Sequence, residues 1–134
     1  MDGLIITPLK EITHSKGNIY HAMKKSDNGF AGFGEAYFSS IKTGAIKGWK
    51  KHNEMTLNLI VPIGEVEFVL YNGIEFERIV LSPKNYFRLT VSPSIWVAFR
   101  GLSPRDSIIL NIANIEHDPH ESETRELNDI PYMW

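Results

Sequence analysis

The sequence predicts an all-β protein built as a sandwich or a closed barrel. Short runs of β-forming residues recur at spacings of about 8–12 residues, and Pro, Gly, Asn or Asp separates them, a pattern typical of such folds. The chain has 134 residues, enough to bury one core, so we expect a single domain over residues 1–134. A hydrophobic content of 43% indicates a globular rather than a disordered protein.

Composition excludes several classes of function. The chain has no cysteine, which excludes disulfides, thiol nucleophiles and thiolate metal sites. A net charge of −2 provides no global basic field for nucleic acid or an anionic membrane, so any anion-binding site must be local. The N-terminal segment lacks a signal-peptide pattern, and no apolar stretch approaches the roughly 18 residues of a membrane span. We therefore expect a soluble, cytoplasmic protein without a nucleic-acid or membrane partner.

The first third of the chain predicts short strands joined by turns. The apolar run Leu4–Ile6 is read as an edge strand, and Ile19–Lys24 as a possible second strand. The pair Asn28–Gly29 predicts a turn, since both residues tolerate positive φ. Glycines close to the aromatic segment Phe30–Ser39 predict a bent or closely approached strand there.

The central stretch, Gly44–Tyr71, holds two apolar runs joined at Pro62–Glu65. Apolar β-formers that stop at a Pro/Gly turn and begin again predict a hairpin. The densest polar cluster of the sequence precedes these runs and would lie on the strand entering the hairpin. It consists of Lys47, Trp49, Lys50, Lys51 and His52.

The remaining strands are predicted from similar punctuation. Asn72–Gly73 predicts a turn into the next strand. The predicted strands are Phe76–Leu81, Tyr86–Val91, Ile95–Arg100 and Ser107–Ile112. Ser122–Glu126 could form a short helix, and the apolar segment Tyr132–Trp134 is expected to dock on the body or on a partner subunit.

The polar cluster is the candidate site. Because alternate residues of a strand share a face, Ile46, Gly48, Lys50 and His52 should point one way, and Lys47, Trp49 and Lys51 the other. If the first set faces the interior, Lys50 and His52 could transfer protons or hold an anionic or carbonyl oxygen. The alternative is a basic edge strand whose lysines resist aggregation.

Two other groups of residues carry weaker signals. A metal site would need more ligands than His52, since the Lys50 cation is a poor ligand and His117 and His120 lie far along the chain, so we predict no metal and no cofactor. Trp96, Phe99 and Arg100 could form an aromatic and cationic platform for a base or sugar, or could be core residues and one solvated cation.

Four segments together resemble a known family. Ala45–His52 (AIKGWKKH), Gly64–Val69 (GEVEFV), Leu81–Asn85 (LSPKN) and Val91–Pro93 resemble the dTDP-4-dehydrorhamnose 3,5-epimerases, over roughly residues 16–120. The chain is also similar to the smaller sugar 3,4-ketoisomerases. The resemblance implies a dimeric cupin, a jelly-roll or double-stranded β-helix barrel, that acts without a metal on nucleotide-linked 4-keto-6-deoxyhexoses.

The resemblance also implies residue roles. Lys47 and Lys16 fall where the family has arginines that grip the nucleotide diphosphate, and Lys50 falls at its general-base histidine. His52 matches the second histidine of the ketoisomerase His-x-His pair. Three apolar residues stand where the epimerases have a lysine, a histidine and a proton-donating tyrosine, respectively Leu57, Val97 and Leu110.

The predicted function is therefore a dTDP-4-keto-6-deoxyhexose epimerase or isomerase of surface-polysaccharide sugar biosynthesis. Lys50 or His52 would abstract a proton next to the C4 ketone, or cationic Lys50 would stabilise the enolate. The acid would be Tyr37, Tyr86 or Tyr20.

The substrate-binding set is Lys16, Lys47, Tyr86, Arg88, Trp96 and Arg100. The alternatives are a non-catalytic cupin that binds a nucleotide sugar or carbohydrate, and a metal-dependent cupin. An exchanged N-terminal strand would suit the expected homodimer.

Overall fold

The computed structural model describes all 134 residues, and its regular secondary structure is almost entirely β-strand. The first six strands are Leu4–Pro8 (β1), Glu11–Ile12 (β2), Ile19–Tyr20 (β3), Glu35–Ile41 (β4), Ile46–His52 (β5) and Leu57–Ile63 (β6). The next six are Val66–Tyr71 (β7), Phe76–Leu81 (β8), Phe87–Val91 (β9), Trp96–Gly101 (β10), Ser107–Ala113 (β11) and Ser122–Thr124 (β12). The one helix is a 3-10 turn, Leu127–Asp129.

Ten strands form two five-stranded antiparallel sheets. The first sheet has the order β1-β9-β6-β11-β4, and the second has the order β12-β5-β10-β7-β8. The strands β2 and β3 form a separate hairpin. Along the central strands β4 to β11 the chain passes from one sheet to the other at every connection except the β7–β8 hairpin, in the arrangement of a jelly roll. The predicted all-β fold is confirmed.

The core lies between the two sheets. Inward-facing apolar side chains of both sheets meet there, including the fully buried Phe68, Leu70 and Leu89. Burial of such a side chain contributes about 1.5–3 kcal/mol to folding. Inward positions of β4, β5 and β11 are partly polar, and the candidate site lies there.

The predicted hairpin across Pro62–Glu65 is wrong. The strand β6 pairs with β9 and β11, whereas β7 pairs with β8 and β10, so the turn carries the chain from one sheet to the other. Pro62 lies within β6, at a register shift where a missing N–H is tolerated. Both strands are buried on both faces over most of their length, which is why their apolar runs lack the alternation of a solvent-facing hairpin.

Two other predicted elements differ from the structure. Only Ile19–Tyr20 of the predicted second strand is extended, and the predicted bent strand begins at Glu35. The preceding Gly34 approaches the backbone of Ile115 so closely that a side chain there would collide with it. The predicted Asn72–Gly73 turn is confirmed between β7 and β8, where the Asn72 side chain accepts two backbone N–H groups.

The predicted helix at Ser122–Glu126 is also wrong. Ser122–Thr124 forms the strand β12, because the open edge of β5 supplies backbone partners, and the helical turn comes later at Leu127–Asp129. Docking of the final aromatic residues on the body is confirmed. Tyr132 and Trp134 pack on the outer face of the second sheet, and Met133 between them is exposed.

No helix of this fold has the length and apolar character required to cross a lipid bilayer.

Candidate functional site

A cavity of about 310 Å³ lies between the two sheets. The second sheet contributes Lys47, Gly48, Lys50, His52, Phe68, Val97 and Phe99 to its lining. The first sheet contributes Tyr37, Ser39, Leu57, Leu59, Ile109 and Asn111. The cavity therefore has a cationic wall opposite a wall with neutral polar groups, and apolar side chains belong to both.

A β-bulge in β5 shapes the cationic wall. Val97 of β10 pairs with Lys50, but Phe99 pairs with Lys47, so β5 has one more residue than β10 between these pairs. The inserted residue breaks the alternation of faces. As a result Lys47 lines the same cavity as Lys50 and His52, which corrects the prediction that Lys47 points to the opposite face.

His52 is held by a buried carboxylate. Its Nδ1 contacts Oε1 of Glu121, and only 8% of His52 and 5% of Glu121 are exposed. When Glu121 is ionised it accepts the Nδ1–H proton and fixes that tautomer of the neutral ring. The Nε2 atom then carries the lone pair, so His52 has the arrangement of an oriented general base.

The other oxygen of Glu121 is held by the backbone. Oε2 accepts N–H groups from Asn53, Glu54 and Met55 at 3.2, 3.0 and 3.2 Å. Burial by itself would raise the pKa of Glu121, but the hydrogen bonds from His52 and from these backbone groups outweigh burial and lower that pKa below its usual range. Glu121 is therefore ionised at neutral pH.

Tyr37 occupies the opposite wall with its hydroxyl proton free. The Asn111 side chain accepts the Asn58 N–H through Oδ1 at 3.1 Å, which orients the amide so that Nδ2 donates to the Tyr37 oxygen at 3.1 Å. Because this oxygen accepts a hydrogen bond, its own O–H remains available to donate. A proton donor thus lies opposite the basic wall.

The two cavity lysines differ in their contacts. The Lys47 ammonium donates to the Ser40 carbonyl oxygen at 2.9 Å and lies 5.7 Å from the centre of the Phe99 ring. Lys50 is half-buried and has no ion-pair partner. An unpaired ammonium in a cavity is suited to hold an oxyanion or a carbonyl oxygen.

Leu57 and Val97 both line the cavity. By the family resemblance they stand where the epimerases have a lysine and a histidine. Leu110 does not line the cavity, because its neighbours Ile109 and Asn111 take the inward positions of β11. The cavity therefore lacks two of the family's ionisable groups, and an amide lies one residue beyond the position of the tyrosine.

Five of the predicted site residues are not at this cavity in the structure. Arg88 is fully buried behind the first sheet, where it donates to the carbonyl oxygens of Ala22 and Asn28 and pairs with Asp27. Its role here is to anchor the 22–28 segment. Tyr86 donates to the His21 carbonyl oxygen at 2.9 Å, and burial raises its pKa.

Trp96 and Arg100 lie on the outer face of the second sheet, because inward and outward positions alternate along β10. The Trp96 ring has Lys51 and Arg125 over its face, and Arg100 pairs with Glu67 at 2.9 Å. Lys16 is exposed in the turn of the β2–β3 hairpin, and Tyr20, another candidate acid, is half-exposed on β3.

Sequence reasoning missed Glu121 and Asn111. Glu121 contacts His52 across 69 residues of sequence, and Asn111 contacts Tyr37 across 74 residues. No local sequence motif can therefore contain either pair. A single carboxylate after His120 in a polar segment was the available signal for Glu121. No group of three or more His, Asp or Glu side chains that could hold a metal ion forms in the structure.

Comparison with known proteins places this geometry in a family. The family model described as FdtA: WxcM-like, C-terminal matches residues 2–129. A search of curated proteins gives no significant match. The structure superposes on a dTDP sugar isomerase from Desulfovibrio desulfuricans G20 with a TM-score of 0.94 and 29% identity, covering 99% of this chain and 91% of that one.

Two more distant structures share the fold. QdtA, a sugar 3,4-ketoisomerase from Thermoanaerobacterium thermosaccharolyticum solved with TDP, superposes with a TM-score of 0.81 at 18% identity, covering 92% of this chain and 88% of that one. RmlC from Legionella pneumophila Philadelphia 1, a dTDP-6-deoxy-D-glucose-3,5-epimerase, gives 0.81 at 18% identity, covering 96% and 76%. The predicted cupin jelly roll and the predicted family resemblance are confirmed.

Proposed function

Because the chain belongs to the family of FdtA and WxcM-like C-terminal domains, we propose that it isomerises or epimerises a dTDP-linked 4-keto-6-deoxyhexose. The observation that carries the proposal is the His52–Glu121 pair at a cavity whose opposite wall holds Tyr37. Relatives of similar fold are a dTDP sugar isomerase, a 3,4-ketoisomerase and a 3,5-epimerase, which supports chemistry on this class of sugar.

The first step is proton abstraction next to the C4 ketone. A ketone acidifies the neighbouring C–H, and His52, oriented through Nδ1 by Glu121, removes that proton with Nε2. The electron pair moves onto the C4 oxygen and forms an enolate. We assign the base to His52 rather than Lys50 because only His52 has a carboxylate partner that holds a neutral ring in one tautomer.

Lys50 stabilises the enolate in this scheme. An unpaired ammonium on the same strand face as His52 is in position to hold the developing charge on the C4 oxygen. Tyr37 then returns a proton from the opposite wall, and Asn111 keeps its O–H free to do so. Protonation of the same carbon from the opposite face inverts that carbon, which is epimerisation. Protonation of C4 instead, with the proton of the C3 hydroxyl passing to the C4 oxygen, leaves the carbonyl group at C3, which is isomerisation.

Lys47 is the proposed cation for the diphosphate. It is exposed at the edge of the cavity, next to the Phe99 ring, so an anion could be bound there without burial of an unpaired charge. The nucleotide would extend away from the sugar at this edge. An activated sugar of this kind fits surface-polysaccharide biosynthesis in the cytoplasm, which we retain as a prediction.

A second candidate function is binding without catalysis. The inward Leu57 and Val97 stand where the resemblance places an ionisable lysine and histidine, which reduces the number of groups able to transfer protons. A non-catalytic cupin would retain the cationic wall and the affinity for a nucleotide sugar. Proton exchange distinguishes this function from the first.

A homodimer is also part of the proposal. The β2–β3 hairpin exposes apolar side chains at Ile12, Ile19 and Tyr20, with Lys16 in its turn. If a second copy covers the hairpin, Lys16 could approach the partner's cavity. Light scattering at several protein concentrations tests this state, and a monomer throughout would contradict it.

The deciding experiment is proton NMR of dTDP-4-keto-6-deoxyglucose with the protein in deuterated water. We expect deuterium to enter at a carbon next to the ketone. The His52→Asn variant should lose exchange by about 10²–10⁴-fold, the usual contribution of general-base catalysis. Calorimetric titration with dTDP should still show binding by this variant.

The control is His117→Asn, which makes the same change at an exposed histidine and should leave exchange at the wild-type rate. Binding of dTDP without any exchange by the wild-type protein would favour the non-catalytic function. Failure of the wild-type protein to bind dTDP or the sugar nucleotide would reject both functions.

A further inference from the structure

One segment connects the cavity with the far side of the second sheet. This segment, residues Glu121–Trp134, is called the arm below. It begins at the carboxylate that holds His52 and ends in an aromatic cluster on the outer face of the sheet. The contacts between these two ends suggest that they are coupled.

We propose that docking of Trp134 positions the His52–Glu121 pair, so that the aromatic end of the arm determines how well the cavity transfers protons. Trp134 does not line the cavity and is a positioning residue in this scheme. The effect on turnover rests on the proposed function, whereas the effect on the geometry of the pair does not.

The arm lies along the open edge of β5. Ser122 pairs with His52 and Thr124 with Lys50, so two of the three inward groups of the cationic wall have their backbone fixed from the arm side. The Asn53 N–H donates to the Glu121 carbonyl oxygen at 2.8 Å. Displacement of the arm would therefore shift Glu121 and loosen the strand that carries His52 and Lys50.

Trp49 links the arm to the bulge in β5, because it lies in the bulge and contacts the arm directly. It lies at the irregular part of β5, points outward and is only 1% exposed. Its backbone carbonyl accepts the Arg125 N–H at 3.0 Å, and its indole N–H donates to the Leu127 carbonyl oxygen at 3.1 Å. A bulge lacks part of the ladder of hydrogen bonds, so these outside contacts help to fix it.

Trp134 closes this cluster at the end of the arm. Its ring lies 6.2 Å from Trp49 and 5.1 Å from Tyr132, and the Arg100 guanidinium lies 5.8 Å from its centre. Arg100 is itself fixed by Glu67 at 2.9 Å. Removal of the Trp134 ring opens the cover over Trp49, while every cavity side chain is left unchanged.

The test that does not depend on activity is amide hydrogen exchange. The N–H groups of Glu54 and Met55 donate to the Glu121 carboxylate, and the Asn53 N–H is shared between this carboxylate and the Glu121 carbonyl oxygen, so the three report whether Glu121 is in place. Trp134→Ala should accelerate their exchange about tenfold, as expected when a local opening becomes easier. Met133→Ala is the matched control, because Met133 is the adjacent residue and is 94% exposed.

Exchange in β1 and β9 distinguishes positioning from general destabilisation. These strands lie in the other sheet and do not pair with the arm, so they should exchange at the wild-type rate in Trp134→Ala. Unchanged exchange at residues 53–55, or an equal acceleration in β1 and β9, would overturn the proposal. Trp134→Phe retains an aromatic ring and should restore most of the protection.

Kinetics supply the second readout. Trp134→Ala should lower kcat about tenfold with little change in KM, since it disturbs the base without touching bound substrate. In a Glu121→Gln background the same substitution should have little further effect, because the link it acts through is already weakened. Equal effects in both backgrounds would contradict the proposal.

The two proposals fail in different ways. If the wild-type protein does not exchange substrate protons, the proposed function fails, while amide exchange still decides whether Trp134 positions Glu121. If turnover is present but Trp134→Ala leaves kcat and the 53–55 amides unchanged, the function stands and the positioning role is rejected.

Discussion

Lys50 and Lys51 are adjacent residues of the same type, yet the two faces of β5 give them opposite surroundings. Lys51 points outward, where its ammonium contacts Glu123 at 3.1 Å and lies 5.1 Å from the centre of the Trp96 ring. Lys50 points into the cavity and has no ion-pair partner. One cation is neutralised by the arm, and the other has no ionic partner in the protein.

The same difference extends along the strand. On the outer face Trp49 is covered by the arm, so this face is closed by protein contacts. On the inner face Lys47, Lys50 and His52 line an open volume. Of these three, His52 is held by Glu121 and Lys47 donates to the Ser40 carbonyl oxygen, so Lys50 is the cation without a protein partner. An unpaired cation in a cavity indicates a candidate binding site, whereas the paired Lys51 indicates a structural role.

The largest expected effect is the loss of turnover when the lysine on the inner face of β5, Lys50, is neutralised. Lys50→Met keeps the length of the side chain and removes the charge, and we expect kcat to fall about 10²–10³-fold, as for loss of an oxyanion-stabilising group. Steady-state kinetics and substrate deuterium exchange measure this effect. A Lys50→Met enzyme with wild-type kcat would show that the unpaired ammonium has no role in the chemistry.

A smaller effect concerns stability against pH. The folded pKa of Glu121 is lowered, chiefly because the hydrogen bonds from His52 and from backbone N–H groups overcome the opposing effect of burial. A carboxyl group with a lowered folded pKa contributes stability above its unfolded pKa and loses it as the pH falls through the folded value. Wild-type stability should therefore decline as the pH falls below about 4.5, the ordinary value for this group.

Glu121→Gln isolates that contribution. The variant should be less stable than the wild type at pH 7, and the difference should shrink below pH 4.5, where protonated Glu121 resembles the amide. Asp27 and Glu123 also have lowered pKa values, through the Lys24 backbone N–H and the Lys51 ammonium respectively. Both groups are present in each protein, so they cancel in the difference. A difference independent of pH in chemical denaturation would contradict this account of Glu121.

Much of the fold could be predicted from the sequence, because strand spacing and turn residues are local signals. The Asn72–Gly73 turn and most strand positions follow from them. Strand pairing is not local, and the apolar runs on either side of Pro62–Glu65 are compatible with either a hairpin or a crossing between sheets. The wrong choice there reflects a missing long-range constraint rather than a wrong propensity.

The candidate site was predictable to a similar extent. Alternation along β5 identified the shared face of Lys50 and His52, which the structure brings to one cavity. The bulge that adds Lys47 to this face depends on the register with β10, and Glu121 depends on the return of the arm. An arginine is a common anion-binding residue, but the guanidinium of Arg88 donates its hydrogen bonds to carbonyl oxygens of the 22–28 segment instead.

The smallest expected effect is at Lys51, and it completes the comparison. Lys51→Met removes a partly exposed ion pair, since the side chains of Lys51 and Glu123 are 23% and 39% exposed. Exposed ion pairs contribute little, so kcat and KM should remain within about twofold of wild type and the denaturation midpoint should change only slightly. Lys51→Met and Lys50→Met make the same change at adjacent residues. Comparison of the two variants therefore separates the effect of a charge inside the cavity from the effect of a charge on the outer face of β5. A loss at Lys51 as large as that at Lys50 would mean that the two faces of β5 share one electrostatic role, and the assignment of the enolate site to Lys50 alone would have to be abandoned.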